Sequence, residues 1–453
     1  MNTDLRIAAR CLLLTLLAAP LFAQGIPRPT GLFCSCPPTN AVSSSFLATV
    51  AAKPFVDGFL VRIAWSDVET SPSVFDWTLL DGQLQLCQQA GKKVALAIVQ
   101  GPGTPAWLSG LGAATLTYSF SGRSQTIAVP WDPIYLQRWQ QFVAALGARY
   151  AADTTIALVH VTHATHNGFE MQLAPAEQQT YVGAGYTDAV YAQSWSTVIS
   201  AFAAAFPNHP LDMDLHPIFG SDAVAGATVT SGLAAAPGRF GAFGGWWSVN
   251  NAQNAYPGMQ ALFEATAATS FTNVQNVGSW VTTPTRYGSS LATYEAAYDL
   301  ALQSGIRYLE VWNADLLDPG LDPLLTQVAG QLRCAGWYQR YPSAATPPAA
   351  VHGITGCTAP AMQFDLTVAG GPANSLALFA VGTDRGVTTV PGIGDVQIAP
   401  FTQLITLGIV VLDGNGAGAL TVTAPASAPY RFTTQAAVLG SSGVTLTNAM
   451  ELR

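Results

Sequence analysis

The sequence predicts an α/β fold: a (β/α)8 TIM barrel followed by a small all-β sandwich domain. Three observations predict it. Residues 24–340 alternate short apolar runs with stretches whose apolar residues recur at helical spacing, which marks parallel α/β units. The runs number eight, and eight strand–helix units in about 310 residues suit a closed ring better than an open sheet. After Tyr341 the texture changes to short alternating runs separated by Gly, Asn and Pro.

The elements follow in order. Residues 1–23 read as a secretory signal: Arg6 and Arg10 precede the apolar run Cys11–Phe22, and Ala23 offers a small residue for cleavage. That run is too short to span a bilayer, so no membrane span is expected in the mature chain. The candidate barrel strands are Gly31–Cys36, Gly58–Trp65, Lys93–Gln100, Ile156–Thr162, Leu211–His216, Arg239–Gly244, Asn273–Trp280 and Ile306–Trp312. Helical spacing marks Trp77–Ala90, Pro133–Tyr150 and Tyr191–Phe206. Residues 341–358, rich in Pro and Ala, read as a linker. Residues 359–453 read as the β-sandwich, with strands at Gln363–Val368, Ser375–Val381, Leu404–Leu412, Ala419–Thr423, Tyr430–Ala437 and Val444–Leu452. Asp413-Gly-Asn-Gly is a strong turn signal between two of them.

Composition excludes some partners. Net charge is −8, and only Lys53, Lys92 and Lys93 among the 18 basic residues are lysines. Without a basic stripe, nucleic acid and anionic membranes are not expected partners. The 11 Trp and 14 Tyr suit a protein that handles sugar rings, although an ordinary large core accounts for most of them. Once Cys11 leaves with the signal, five cysteines remain. Cys334 and Cys357 flank the domain junction and are the expected disulfide; Cys34 or Cys36 could reach Cys87. The spacing fits no zinc pattern, and no cofactor or metal is expected.

In such a barrel the chemistry lies at the C-terminal strand ends. The second strand ends in Arg62 and Trp65, the third in Gln100, and the fourth in His160, His163, His166, Asn167 and Glu170. The fifth offers Asp212, Asp214 and His216, the sixth leads to Trp246 and Trp247, the seventh holds Gln275 and Trp280, and the eighth Glu310 and Trp312.

The run Gly58–Glu69, then Val74-Phe-Asp-Trp77, Leu80-Asp81 and Ala90-Gly91, resembles the clan A glycoside hydrolases, especially their bacterial β-galactosidase-like branch. Thr104-Pro-Ala-Trp107 is similar to that branch's loop after the third strand, and Trp131-Asp-Pro-Ile-Tyr135 to its approach to the fourth strand. The resemblance is good over about residues 55–175, looser to 315, and absent from the tail. It implies a carbohydrate substrate and makes Glu170, just after the fourth strand, the general acid/base. The chemistry requires such a group, because a glycosidic oxygen leaves poorly unless it is protonated as the bond breaks. As a bare sequence position, Glu170 could also be a surface carboxylate.

The pattern then departs from the family. The family has Asn directly before this Glu, whereas here Phe169 precedes it and Asn167 lies three back. The family's nucleophilic Glu at the end of the seventh strand is replaced near Gln275, and an amide is a poor nucleophile. Glu310 on the neighbouring strand is the best substitute, as a retaining or an inverting partner according to the carboxylate separation. It could instead pair with Arg62 or Arg307. Asp214 is a further carboxylate.

The three histidines cannot share one strand face. A metal would use His163 or His166 with His216 and Asp214, but the plainer expectation is sugar hydrogen bonding or core packing. Trp246, Trp247, Trp280 and Trp312 could stack on pyranose rings, with Arg62, Trp65, Gln100, His163, His166, Asn167, Asp214, His216 and Gln275 completing the substrate site. The tail resembles β-modules appended to exported bacterial proteins, which implies cell-surface or matrix attachment. The sequence thus predicts an exported glycoside hydrolase acting on a β-linked oligo- or polysaccharide, with Glu170 and Glu310 as its carboxylates. Its rivals are a carbohydrate-binding barrel without catalysis and a surface-displayed structural protein.

Overall fold

The computed structural model describes residues 28–35, 44–120, 122–334, 338–341, 351–358, 363–391, 393–399, 404–423, 432–441 and 443–452. Eight parallel strands close a barrel: β1 (Gly31–Ser35), β2 (Gly58–Ala64), β3 (Lys93–Val99), β4 (Ile156–His160), β5 (Leu211–Asp214), β6 (Phe240–Trp247), β7 (Thr272–Asn276) and β8 (Tyr308–Trp312). All eight predicted runs form strands, in sequential order around the ring, with β1 pairing both β2 and β8. Every residue of β2 is buried, as expected for a strand covered by helices outside and by side chains within.

The helices obey the same logic. In Pro133–Tyr150 the Asp132 carboxylate accepts from the Tyr135 N–H, Pro133 occupies the first turn, and Tyr135, Trp139, Phe142, Val143, Leu146 and Tyr150 form the buried stripe. Inside the ring a second apolar cluster gathers Phe33, Leu60, Ala95, Ala97, Leu158, Phe243 and Tyr308, and Phe169 joins it from the loop after β4. A hairpin of Thr115–Phe120 and Arg123–Ala128 lies between β3 and the helix Pro133–Tyr150. The sequence reading contained no strands there.

The tail forms antiparallel sheets. β9 (Tyr338–Tyr341), β18 (Gly443–Leu452), β17 (Phe432–Gly440), β12 (Leu376–Gly382) and β15 (Ile405–Val411) make one sheet in that order. β10 (Val351–Thr358), β11 (Gln363–Ala369) and β16 (Gly418–Thr423) make a second, and β13 (Asp384–Val390) with β14 (Gly394–Ala399) a third. Phe364, Leu366 and Val368 from β11 meet Ala377, Phe379, Ala436, Val438 and Met450 from the larger sheet in one core, which is the packing of a sandwich.

Two strands near the expected domain boundaries pair with the tail. Tyr338–Tyr341, which straddles the expected end of the barrel at 340, pairs with β18, and Val351–Thr358, within the expected linker 341–358, pairs with β11. Both are strands because of distant partners that local composition does not reveal. The Asp413 turn holds through its carboxylate, which accepts from the Asn415 and Ala417 N–H groups. It links strands of different sheets rather than a hairpin.

Cys34 and Cys87 are both buried. Cys36 and the side chains of Cys334 and Cys357 lie outside the described residues, as does the signal segment. Among the described residues no helix is long and apolar enough to cross a membrane.

Candidate active site

The loop after β4 is shaped by backbone constraints. The Gln100 N–H donates to the Gly168 carbonyl at 3.2 Å, and Gly168 has φ +78°, where a Cβ would stand 1.8 Å from the Gln100 carbonyl oxygen. Only glycine fits there. The Asn167 side-chain oxygen accepts from the N–H groups of Phe169 at 3.0 Å and Glu170 at 2.8 Å. Asn167 thus supports Glu170 from three residues back. The loop sends Phe169 into the ring, against His160 and Phe243. Glu170 stays at the mouth with its side chain 25 % exposed.

Asp214, at the end of β5, faces it. Asp214 accepts from the Gly245 N–H at 2.7 Å and the Met171 N–H at 3.2 Å. A Cβ added at Gly245 would lie 3.4 Å from both an Asp214 oxygen and a Glu170 oxygen, so the two carboxylates flank the same bare stretch of β6. His216 Nε2 lies 3.5 Å from Glu170 and 3.7 Å from Asp214. Burial raises the Glu170 pKa, but His216, Asn167 and Arg62 outweigh it and bring it below the usual value. Burial, reinforced by the charge of Glu170, pushes Asp214 up to about 7 against the opposing pull of His216 and the two N–H groups.

Glu310 lies in a deeper layer with no exposed surface. One oxygen accepts from Tyr308 Oη at 2.5 Å and the other from Gln275 Nε2 at 2.6 Å, and Gln275 also donates to Ser35 Oγ. His160 stands between Glu310 and Asp212, and Asn273 donates to Asp212 at 2.7 Å. The Arg62 guanidinium faces the rings of Phe169 and Trp312. The partners of Glu310 include Tyr308, Gln275 and His160.

Four positions expected at the substrate are fully buried and engaged with neighbouring side chains or backbone. Trp65 packs against Trp107, Trp139, Tyr135 and Phe142 and donates to Glu69. Gln100 accepts from Tyr135 Oη. Trp247 donates to the Ala297 carbonyl. His163 is stacked beside Tyr135 and Tyr191, bonded to Tyr135 and Ser194, and burial lowers its pKa to about 3. Large apolar or polar groups at a strand end satisfy either role, and only the direction in which the chain turns decides between them. Trp246 is also buried, donating to the Leu215 carbonyl beside His216. Trp280 and Trp312 keep part of their surface exposed, and His166, half-buried, contacts the Tyr118 ring of the hairpin.

Sequence reasoning missed Gly245, Gln172 and Tyr256. Gln172 lies against His216, and the Tyr256 ring is 5.2 Å from the His216 ring. Tyr256 precedes a helix after β6, and that position alone would place it at the C-terminal face of the ring. Among the described residues, Glu170, Asp214 and His216 are the one group of three metal-ligand type side chains that converges.

Residues 59–201 match the sequence family described as beta-galactosidase, Glyco_hydro_42. No curated protein matches by sequence. Similar solved structures include endo-glycoceramidase II from Rhodococcus sp., at 15% identity and TM-score 0.45, covering 88% of this chain and 100% of that one. They also include the endo-beta-1,4-mannanase from Thermotoga petrophila, at 10% identity and TM-score 0.48, covering 94% and 98%. The beta-galactosidase from the psychrophilic Marinomonas ef1 aligns at 9% identity and TM-score 0.43, over 67% of this chain and 60% of that one. The chain thus carries a closed parallel eight-stranded ring, similar over residues 59–201 to the beta-galactosidase family model, with an antiparallel β module appended.

Proposed function

We propose that the protein is an exported hydrolase of a β-linked oligo- or polysaccharide, with Glu170 as the proton donor. The observation that carries this reading is the pair of carboxylates around Gly245, one partly exposed and one buried. Two carboxyls so placed resist carrying two negative charges in a site of low dielectric, so one of them keeps a proton to higher pH than it would alone. The elevated value at Asp214 keeps that proton available beside Glu170 near neutral pH. Glu170, the more exposed member, delivers it to the glycosidic oxygen as the bond breaks.

Glu310 remains the second carboxylate of the proposal. Both its oxygens are hydrogen-bonded and it is fully enclosed, so it acts by charge on the oxocarbenium-like transition state rather than by attack, and a water adds to the anomeric carbon and returns its proton to the Glu170 carboxylate. The exposed parts of Trp280 and Trp312 supply stacking faces, and His166 and Arg62 supply hydrogen bonds. Residues 1–23 direct export in this reading, and the β module attaches the protein to a surface or matrix.

One observation favours a second reading, a carbohydrate-binding barrel without turnover. Gln275 occupies the seventh strand where the resemblance calls for a nucleophile, and its amide is committed to Ser35 and Glu310. Purified protein screened against chromogenic β-glycosides and polysaccharides, beside Glu170→Gln, separates the two. We expect turnover that falls about 10²–10⁴-fold in the variant. Equal activity in both proteins removes Glu170 from the mechanism, and affinity without turnover establishes the binding barrel.

A further inference from the structure

We infer that the outer face of the tail's largest sheet is the contact surface between two copies of this chain. Side chains alternate across a strand, so each strand of this sheet sends every second residue away from the sandwich core. Ala377 and Phe379 of β12 and Ala436 and Val438 of β17 point inward. Their neighbours Leu376, Leu378, Ala437 and Leu439 therefore point outward. The register sets these side chains in two rows across three strands. Val411, Leu376 and Leu439 are cross-strand partners in one row, and Ile409, Leu378 and Ala437 in the next.

These rows are open to water. Val411 is 65 % exposed, Ile409 62 %, Leu439 43 % and Leu376 41 %. The solvent face of an antiparallel sheet is ordinarily polar. Here neighbouring aliphatic groups make one continuous patch. The three strands that carry it, β12, β15 and β17, contain no Asp, Glu, Lys or Arg.

The chemistry of the patch selects its occupant. The rows hold no aromatic ring, so they offer no stacking face to a sugar. They hold no cation to engage an anionic lipid surface. A two-fold contact sets a surface against itself, so any charge on it would meet its own copy. A chain of net charge −8 can pair with itself where it bears none. The size agrees. Aliphatic side chains exposed to these extents present on the order of 500 Å² of apolar surface. Two copies together withdraw on the order of 1,000 Å², where specific interfaces begin. β15 is also an edge: among the described strands its one neighbour in the sheet is β12, and it has neither Pro nor charge to turn another strand away. A second copy seated on the rows shields that edge too.

Association is measured on the full chain by analytical ultracentrifugation over about a hundredfold range of concentration. We expect the mass to rise from one chain to two. Ile409→Lys and Val411→Lys each set a charge against its own copy and should raise the dissociation constant roughly tenfold or more. Val74→Lys, at a 56 % exposed position of the barrel, should leave it unchanged. Circular dichroism checks folding, and if one edge variant fails to fold the other decides. A wild-type chain that stays single at every concentration, or a dimer that survives both substitutions, overturns the assignment. A single chain that instead sediments with phosphatidylcholine vesicles overturns it in favour of a lipid surface. The measurement reads mass and not turnover, so its outcome is separate from that of the proposed hydrolysis.

Discussion

His160 bridges two carboxylates from two other strands: Nδ1 is 2.6 Å from Asp212 on β5, and Nε2 is 3.3 Å from Glu310 on β8. A positive imidazolium there ties β4 to both sides of the ring.

This bridge predicts a pH dependence of stability. Burial alone would lower the His160 pKa, but Asp212 and Glu310 outweigh it and push it up to about 9. A folded-state value above the unfolded one, about 6.5, means that the charged bridge contributes fully below pH 6.5 and is lost as pH rises through 9. The expected loss is at most about 3 kcal/mol. Chemical denaturation between pH 6 and 10 should show it, and His160→Gln should remove that slope while lowering stability throughout. An equal slope in both proteins would refute the assignment.

Gly168→Ala tests how Glu170 is positioned. The added methyl meets the Gln100 carbonyl, and the backbone conformation is one that alanine avoids. Loop and carboxylate must shift together. We expect a stability loss of about 1–3 kcal/mol and a fall in kcat well beyond that of KM. Unchanged kcat would mean that the loop does not set the acid's position.

Gln275→Glu places a carboxylate against Glu310. The present contact is a 2.6 Å donation from an amide, and a second acid would replace it with repulsion or a captured proton. The single variant should lose about 2–4 kcal/mol. Gln275→Glu combined with Glu310→Gln reverses donor and acceptor and should recover most of it. The measurement is a double-mutant cycle by denaturation, and additive losses would contradict the coupling.

Much of the fold was legible. Parallel strands covered on both faces leave continuous apolar runs, and those runs marked all eight strands, as at Gly58–Ala64 and Lys93–Val99. The helix at Pro133–Tyr150 announced both ends. What failed to show were strands defined by distant partners, Tyr338–Tyr341 and Val351–Thr358, and the hairpin at 115–128. In the site, strand-end position brought forward Glu170, Asp214 and His216 alike. The separation of Trp312 from Trp65, or of His166 from His163, depends on how each loop turns, which residue type does not encode. Gly245 was invisible because its contribution is empty space.

The mouth is completed late in the chain. Glu170 belongs to the first four strands, whereas Asp214, His216 and Gly245 arrive with the fifth and sixth. On a ribosome the earlier half emerges with an ordinary, water-bathed carboxyl on an open loop. The carboxylate pair exists only once the fifth and sixth strands have docked beside the fourth, so the ordinary acid of the early chain acquires its partner through assembly of the sheet.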